Sequence, residues 1–325
     1  MKRRIDARDG HLQVSSHRMS LADTSAIWRE RASRDGYRAP TATFGGRRVL
    51  SLESRRSPEL ALLVMNYGGR PVIAPALREV ALESNRAALA FADGLIRRQF
   101  DMVVLMTGVG TRLLMKIAGP VHGLDAFVQA LASTRIVARG LKPAAALREV
   151  GLSPWATVPR PNTWREVLTT LDAHGIDTPV QGLRVAVQAY GAPNPELTLG
   201  IEARGATVTE VPVYQWSLPD DVAPLRAAVR GLVDEEIDVV LLTAPVQLVH
   251  LLAVADGMGL DSAVRRALAQ VVIASIGPMT SEEVVRQGLR VDLEPSNAKM
   301  GVLVKAAAEQ CANLLQAKRS AVMTR

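Results

Sequence analysis

From Val49 onward, short runs of apolar residues, many of them β-branched, alternate with longer stretches in which apolar positions recur at helical spacing. A short apolar run between polar segments is typical of a strand that is covered on both faces of its sheet. The predicted strands are 49–52, 71–75, 102–107, 135–138, 156–158, 183–188, 207–214, 239–243, 271–276 and 289–292. The predicted helices include 86–98, 164–174, 195–204, 222–234 and 299–317. The alternation predicts an α/β protein with parallel sheets.

Two segments of the chain repeat the same spacing of glycines after a strand. Thr107 ends one strand and is followed 33 residues later by Gly140, while Thr243 ends another and is followed 34 residues later by Gly277. A further glycine follows 11 residues after each of these two. The duplication predicts two α/β domains of similar build, for which 325 residues leave room. The first strand precedes both segments, so the chain is expected to cross between the domains twice.

The net charge of +7 is concentrated at the amino end of the chain. Residues 1–48 hold 11 Lys and Arg against 5 Asp and Glu, and the remainder is nearly neutral. This head lacks apolar periodicity, which predicts a basic flexible extension over residues 1–46 with no secretory signal. With 48% apolar and 22% charged residues, the body has ordinary globular composition. We therefore expect a cytoplasmic protein, a monomer, with neither nucleic acid nor membrane as partner.

Two further patterns bear on membranes and metals. The uncharged stretch 239–255 contains Thr243, Pro245, Gln247 and His250, which predicts a buried strand followed by a helix and not a membrane span. Cys311 is the single cysteine, and the five histidines do not fall at metal-ligand spacing. No metal site and a reducing compartment are therefore expected.

Gly108-Val109-Gly110 lies between a predicted strand and a predicted helix, where backbone amides can receive an anion. The dinucleotide fingerprint requires a third glycine at position 113, which is Leu113, so dinucleotide binding is not predicted. Helix starts of this kind recur after Thr107, Gly140, Thr243 and Gly277. Spacing alone is equally compatible with glycines that only make tight turns.

Taken together and in order, a series of short motifs resembles the uroporphyrinogen-III synthase family of tetrapyrrole, porphyrin and heme biosynthesis. The resemblance covers about residues 49–317. The motifs are Glu53-Ser54-Arg55-Arg56, Gly69-Arg70-Pro71-Val72, Thr107-Gly108-Val109-Gly110, Ala138-Arg139-Gly140-Leu141-Lys142-Pro143, Val213-Tyr214-Gln215, Thr243-Ala244-Pro245, Ile276-Gly277-Pro278-Met279-Thr280-Ser281 and Lys299-Met300. The family pattern has Thr where this chain has Met279, so a hydroxyl contact there is expected only from Thr280.

The resemblance implies two flavodoxin-like parallel-sheet domains joined by a two-stranded linker, with one domain inserted into the other and the active site between them. On this basis residues 47–77 and 214–319 form domain 1, residues 82–207 form domain 2, and residues 78–81 and 208–213 form the linker strands. The implied activity, that of a lyase, is the cyclisation of hydroxymethylbilane to uroporphyrinogen III, with inversion of ring D and loss of water. The resemblance implies that the reaction needs neither a metal nor an organic cofactor.

The resemblance also implies site residues. Backbone amides at the helix starts, helped by two cationic side chains, are expected to hold the substrate carboxylates. The positions so implied are Arg55, Thr107, Gly108, Val109, Gly140, Lys142, Thr243, Ala244, Gly277 and Thr280. Tyr214 is expected to aim into the cleft and to assist departure of the substrate hydroxyl, although a tyrosine at a strand end is, taken alone, more often a packing residue.

Two other functional classes fit parts of the pattern. One is a regulatory ligand-binding protein that keeps the synthase fold without its activity. The other is a solute-binding protein with a hinged cleft, which would require an export signal. The chain ends soon after its last predicted helix, so an appended DNA-binding domain is not expected.

Overall fold

A computed structural model describes residues 42–82, 84–175, 179–189, 191 and 193–323. Most of the predicted basic extension lies outside these residues. Its last part is described, and there the prediction is wrong, because Ala42 and Phe44 are buried in a core cluster with Val49 and Val64. The Phe44 amide also donates to the carbonyl oxygen of Tyr67. The folded chain therefore begins before the predicted boundary.

The first sheet has four parallel strands in the order β11-β10-β1-β2, which are Val272–Ser275, Val239–Leu242, Arg48–Ser51 and Arg70–Ile73. The second has five parallel strands in the order β6-β5-β4-β7-β8, which are Ala156–Thr157, Arg135–Ala138, Met102–Leu105, Arg184–Gln188 and Thr207–Val211. A separate antiparallel pair joins β3, Arg78–Ala81, to β9, Tyr214–Ser217. The α/β class with parallel sheets is confirmed.

Helices cover both faces of each parallel sheet. In chain order the helices of the described residues are α1 (Ser57–Asn66), α2 (Arg86–Ile96), α3 (Gly108–His122), α4 (Leu124–Ala132), α5 (Leu141–Arg148), α6 (Trp164–His174), α7 (Pro195–Glu202), α8 (Ala223–Val233), α9 (Pro245–Gly257), α10 (Asp261–Gln270), α11 (Pro278–Arg286) and α12 (Met300–Met323). Successive strand residues point to opposite faces, so Val49 packs towards α1 and α12 while Leu50 packs towards α8 and α9. Each sheet thus has two apolar layers.

The strands of the second sheet come from one stretch of chain, whereas those of the first come from two. β1 pairs with β2 on one side and with β10 on the other, and neither β1 nor β2 pairs with β4. The chain leaves the first sheet after β2, passes through β3, builds the second sheet, and returns through β9. The chain therefore passes between the two sheets twice.

Two predicted strands differ from the structure. The predicted strand 207–214 is divided, because Pro212 has no amide hydrogen for a ladder. Residues up to Val211 form the edge of the second sheet, so the predicted linker strand 208–213 is wrong, and the partner of β3 begins at Tyr214 instead. The predicted strand 289–292 is also wrong, since only Leu293 forms an isolated bridge, to Ala274. Asp292 turns its carboxylate onto the Ile273 amide and onto Lys318.

The uncharged stretch 239–255 divides into β10 and most of α9, as its polar positions predict. Within the described residues, none of the helices has the length and apolar character needed to cross a membrane.

Candidate active site

The residues that follow the carboxyl ends of the strands in the two sheets meet across a cleft. Arg165, beyond β6, forms an ion pair with Glu282 on α11, and Glu196, beyond β7, pairs with Arg286 on the same helix at 2.9 Å. Arg160 Nη1 also lies 3.4 Å from Asn297 Oδ1. Ligands of parallel α/β sheets bind beyond the carboxyl ends of the strands. The cleft between these two edges is therefore the candidate site.

The turn after β4 is held by a glutamine from the neighbouring strand. Gln188 is 1% exposed, and its Oε1 accepts the amides of Met106 and Thr107 at 3.2 and 3.1 Å. Thr107 Oγ1 in turn accepts the Gly110 amide at 3.0 Å and so caps the start of α3. The Thr107 amide is thus satisfied within the protein. The amides of Gly108 and Val109, the first two of α3, have no acceptor within the helix.

The glycines of this turn are explained by close packing within the protein. A Cβ at Gly108 would lie 2.7 Å from the carbonyl oxygen of Lys142, and a Cβ at Gly110 would overlap the side-chain amide of Gln188. The first contact brings the starts of α3 and α5 together. Close packing within the protein therefore accounts for both glycines.

The turn after β5 leads into α5 and carries Gly140 and Lys142. Gly140 has φ of +109°, and a Cβ there would lie 2.9 Å from the side-chain nitrogen of Asn162. Lys142 is exposed. Further along the same two helices, Arg112 of α3 donates to Glu149 at the end of α5 at 2.8 Å, and this hydrogen bond holds the pKa of the Glu149 carboxyl below its usual value. The first part of α3 thus contacts α5 at both of its ends.

In the turn after β10 a glutamine again accepts backbone amides, but this glutamine comes from the following helix and not from a neighbouring strand. Gln247, from the first turn of α9, is buried, and its Oε1 accepts the amides of Thr243 and Ala244 at 2.7 and 3.2 Å. Its Nε2 donates to Thr243 Oγ1 at 2.8 Å, and that hydroxyl donates to the carboxylate of Glu53. The amides of Thr243 and Ala244 therefore already donate to a side-chain oxygen of the protein, that of Gln247.

Sequence reasoning missed Gln188, Gln247 and Glu53. An uncharged polar residue inside an otherwise apolar strand or helix is the signal that could have identified the two glutamines, because a buried amide group must find partners. Glu53 Oε1 also accepts the amides of Arg55 and Arg56 at 3.0 and 3.2 Å, so its carboxylate fastens the loop after β1 to the loop after β10. Nothing in the local pattern indicates that contact.

The turn after β11 starts α11 at Pro278. Thr280 is 3% exposed, and its amide donates to the carbonyl oxygen of Gly277 at 3.0 Å. The next hydroxyl, of Ser281, hydrogen-bonds to Ser275 and to Glu294. Of these two hydroxyls, that of Ser281 lies on the wall of the cleft.

Two of the predicted side chains lie in surroundings that the sequence did not indicate. Arg55 forms an ion pair with Glu79 of β3, so its charge is engaged by the strand pair between the sheets. Tyr214 is 4% exposed, and its ring packs in the core of the second sheet beside Leu105 and Leu114. Its hydroxyl lies 3.4 Å from Thr107 Oγ1.

On the second sheet, the helix starts at Gly108 and Leu141 thus lie beside each other, together with the exposed cation of Lys142 and the Thr107–Tyr214 hydroxyl pair. On the first sheet, α11 starts at Pro278, and none of these predicted residues lines the cavity between Trp164 and Arg286. The groups on the second sheet offer amide donors and positive charge to carboxylates, and hydroxyl groups for hydrogen bonding. Among the described residues, no group of three or more His, Cys, Asp and Glu side chains has a metal-binding arrangement.

Comparison with known proteins identifies the family to which the chain belongs. The family model described as uroporphyrinogen-III synthase HemD matches residues 58–305. The uncharacterized protein YjjA of Bacillus subtilis is 28% identical over 263 residues, which cover 80% of this chain and 94% of that protein. A solved structure of a mutant uroporphyrinogen III synthase from Thermus thermophilus is 26% identical, with a TM-score of 0.59, and the match covers 86% of this chain and 100% of that one. Since the family model spans well over half of the sequence, the chain belongs to the uroporphyrinogen-III synthase family.

Proposed function

We propose that this protein is an active uroporphyrinogen-III synthase, a lyase that cyclises hydroxymethylbilane to uroporphyrinogen III with inversion of ring D and loss of water. The observation that carries the proposal is the cleft itself. Two parallel sheets direct their carboxyl edges towards each other, and ion pairs between residues beyond those edges span the gap. Membership of the family supplies the reaction.

The chemistry requires positioning more than side-chain reactivity. Loss of the hydroxyl group gives an electrophilic azafulvene, whose attack at the substituted position of the last ring gives a spiro intermediate that rearranges. A flexible substrate with eight carboxylates has to be held in one folded form, and fixing reacting groups in this way removes much of the entropic cost. Carboxylates suit the helix starts at Gly108, Leu141 and Pro278, with Lys142 adding an exposed charge.

We assign the Thr107–Tyr214 hydroxyl pair the role of hydrogen-bond donor to the departing hydroxyl, with Tyr214 acting through Thr107. A phenol is protonated at neutral pH and donates without a base beside it. The burial of Tyr214 argues against free movement into the cleft, so we place the donor function at the Thr107–Tyr214 pair, where the Thr107 hydroxyl forms the contact with the site. The Thr107 turn and the tyrosine then act together.

The test is an assay in which hydroxymethylbilane is generated in situ and the uroporphyrinogen I and III isomers are separated after oxidation. Isomer III in excess over the protein-free reaction supports the proposal. Isomer I alone, at the spontaneous rate, overturns it. A protein that binds an octacarboxylate tetrapyrrole and forms no isomer III would instead be the regulatory ligand-binding relative. Lys305→Gln, on the exposed side of α12, serves as the control variant.

The cytoplasmic location and the monomeric state are part of this proposal. Cell fractionation and the mass measured by light scattering test them directly.

A further inference from the structure

The cleft between the sheets contains a cavity of about 480 Å³ lined by residues from three helices. Trp164 and Arg165 lie at the start of α6, Glu196 lies in the first turn of α7, and α11 contributes residues including Val285 and Arg286. Val285 is 64% exposed. Val291 and Glu294, from the loop after α11, complete the lining, so that three apolar side chains stand beside five charged ones and Ser281. Small-molecule sites combine apolar surface with a few placed polar groups.

Two ion pairs cross this cavity with opposite polarity. Arg165, on the side of the second sheet, pairs with Glu282, while Arg286, on the side of the first sheet, pairs with Glu196 at 2.9 Å. Among the ion pairs of the described residues, these two are the ones that join helices of different sheets. Both arginine side chains are about half exposed, and exposed pairs contribute little to stability. The pairs are therefore easily exchanged.

Each arginine has a second contact on its own side of the cavity. The Arg165 guanidinium lies 4.3 Å from the centre of the Trp164 ring, a cation–π arrangement. Arg286 donates to Glu283, a largely buried carboxylate that also accepts from Gln287. Both arginines thus keep their positions when the acid across the cavity leaves.

We propose that Arg165 and Arg286 bind two carboxylates of the tetrapyrrole substrate, which replace Glu282 and Glu196. This inference rests on the proposed function and names two of its binding residues. A guanidinium binds carboxylates in a bidentate geometry that an ammonium group does not reproduce. Because one carboxylate replaces another, the exchange desolvates no additional charge. The Trp164 ring and Val285 then offer apolar surface to a pyrrole ring.

Replacing the arginine of a pair and replacing its glutamate should change substrate binding in opposite directions, which makes the proposal testable. Arg165→Gln and Arg286→Gln remove a ligand contact, and we expect the Kd for uroporphyrin III and the KM for hydroxymethylbilane to rise about tenfold, with kcat within about twofold. Glu196→Gln and Glu282→Gln remove a competitor for the arginine, and we expect both constants to fall severalfold. Arg286→Lys, which keeps the charge, should give an intermediate value.

The probe is uroporphyrin III, titrated against the protein by fluorescence quenching, with Arg266→Gln on α10 as the control that makes the same change in net charge. Thermal unfolding of each variant checks that the fold persists. If the pairs only hold the domains together, the Arg and Glu variants shift binding in the same direction, and this outcome overturns the inference. So does absence of uroporphyrin binding by the wild-type protein. Opposite shifts in a protein that makes no isomer III would uphold the site while the proposed synthase activity fails.

Discussion

The Tyr214 hydroxyl lies 3.4 Å from Oγ1 of Thr107, and the same Thr107 oxygen caps the helix that begins at Gly108. One residue comes from the strand on which the chain returns from the second sheet, and the other from the central strand end of that sheet. The contact therefore links the crossover between the sheets to the candidate site.

Tyr214→Phe tests whether this contact serves the reaction. The Thr107 hydroxyl remains in this variant, so we expect isomer III formation to slow by about tenfold, less than the 10²- to 10⁴-fold that a general acid typically contributes. Loss of one hydrogen bond should lower the free energy of unfolding by only about 1 kcal/mol. Tyr67→Phe, at the end of α1, is the control. An unchanged rate of isomer III formation in the Tyr214 variant would show that the tyrosine only packs.

Lys142→Ala tests the exposed cation beside the starts of α3 and α5. We expect substrate binding to weaken by about 1 kcal/mol, close to a fivefold rise in KM, because one partly exposed charged contact is lost. Steady-state kinetics measures the change, and Lys305→Ala supplies an exposed lysine outside the cleft. Equal KM values for the two variants would remove Lys142 from the site.

Gly110→Ala tests the packing explanation of the glycine turn. The added methyl group would overlap Gln188, whose displacement would leave the Met106 and Thr107 amides without their acceptor. We expect a loss of about 2 kcal/mol in the free energy of unfolding, measured with urea.

The comparison for that variant is Gly301→Ala, since Gly301 is the second residue of α12 and no atom lies near the position of a Cβ. Here we expect a gain of about 0.5–1 kcal/mol, because alanine restricts the unfolded chain and favours helix. Equal effects of the two substitutions would contradict the packing explanation.

Asp101 predicts a pH dependence of stability. Hydrogen bonds from the Arg184 guanidinium hold the pKa of this carboxyl below its ordinary value of 3.8. A carboxyl with a lowered folded-state pKa contributes stability that is complete above the ordinary value and is lost as the pH falls through the lower folded value. Asp101→Asn should therefore cost about 1 kcal/mol at pH 7, after allowance for solvent screening.

In urea unfolding experiments, the difference between the wild-type protein and the Asp101→Asn variant should shrink below about pH 4. A constant difference between pH 7 and pH 3 would mean that the carboxylate charge is not the cause.

The positions of most strands could be predicted because apolar runs such as Val103–Leu105 and Val239–Leu242 are buried on both faces and need no knowledge of their neighbours. The interruption of the predicted strand 207–214 at Pro212 could have been predicted, since a proline cannot donate a hydrogen bond within a ladder. The burial of Phe44 was not, because it depends on packing against α1 and α12.

The site was predicted less completely than the fold, for a reason visible at Gln188. This side chain satisfies the Thr107 amide from 81 residues further along the chain, and no local pattern reports such a contact. The same holds for Glu53 with Thr243 and for Arg55 with Glu79. The start of a helix can be identified from the sequence. Which side chains of the protein already accept its free amides depends on the tertiary structure.

The path of the chain has a consequence for folding during synthesis. Residues 102–211 contain every strand of the second sheet, so that sheet can form as soon as this stretch has left the ribosome. β1, in contrast, finds β10 only after 190 further residues, as the pairing of Val49 with Val239 records. Until then the early strands and α1 remain without most of their core, a long delay that favours contacts with chaperones or with other nascent chains. The amino-terminal part of the fold is made first and completed last.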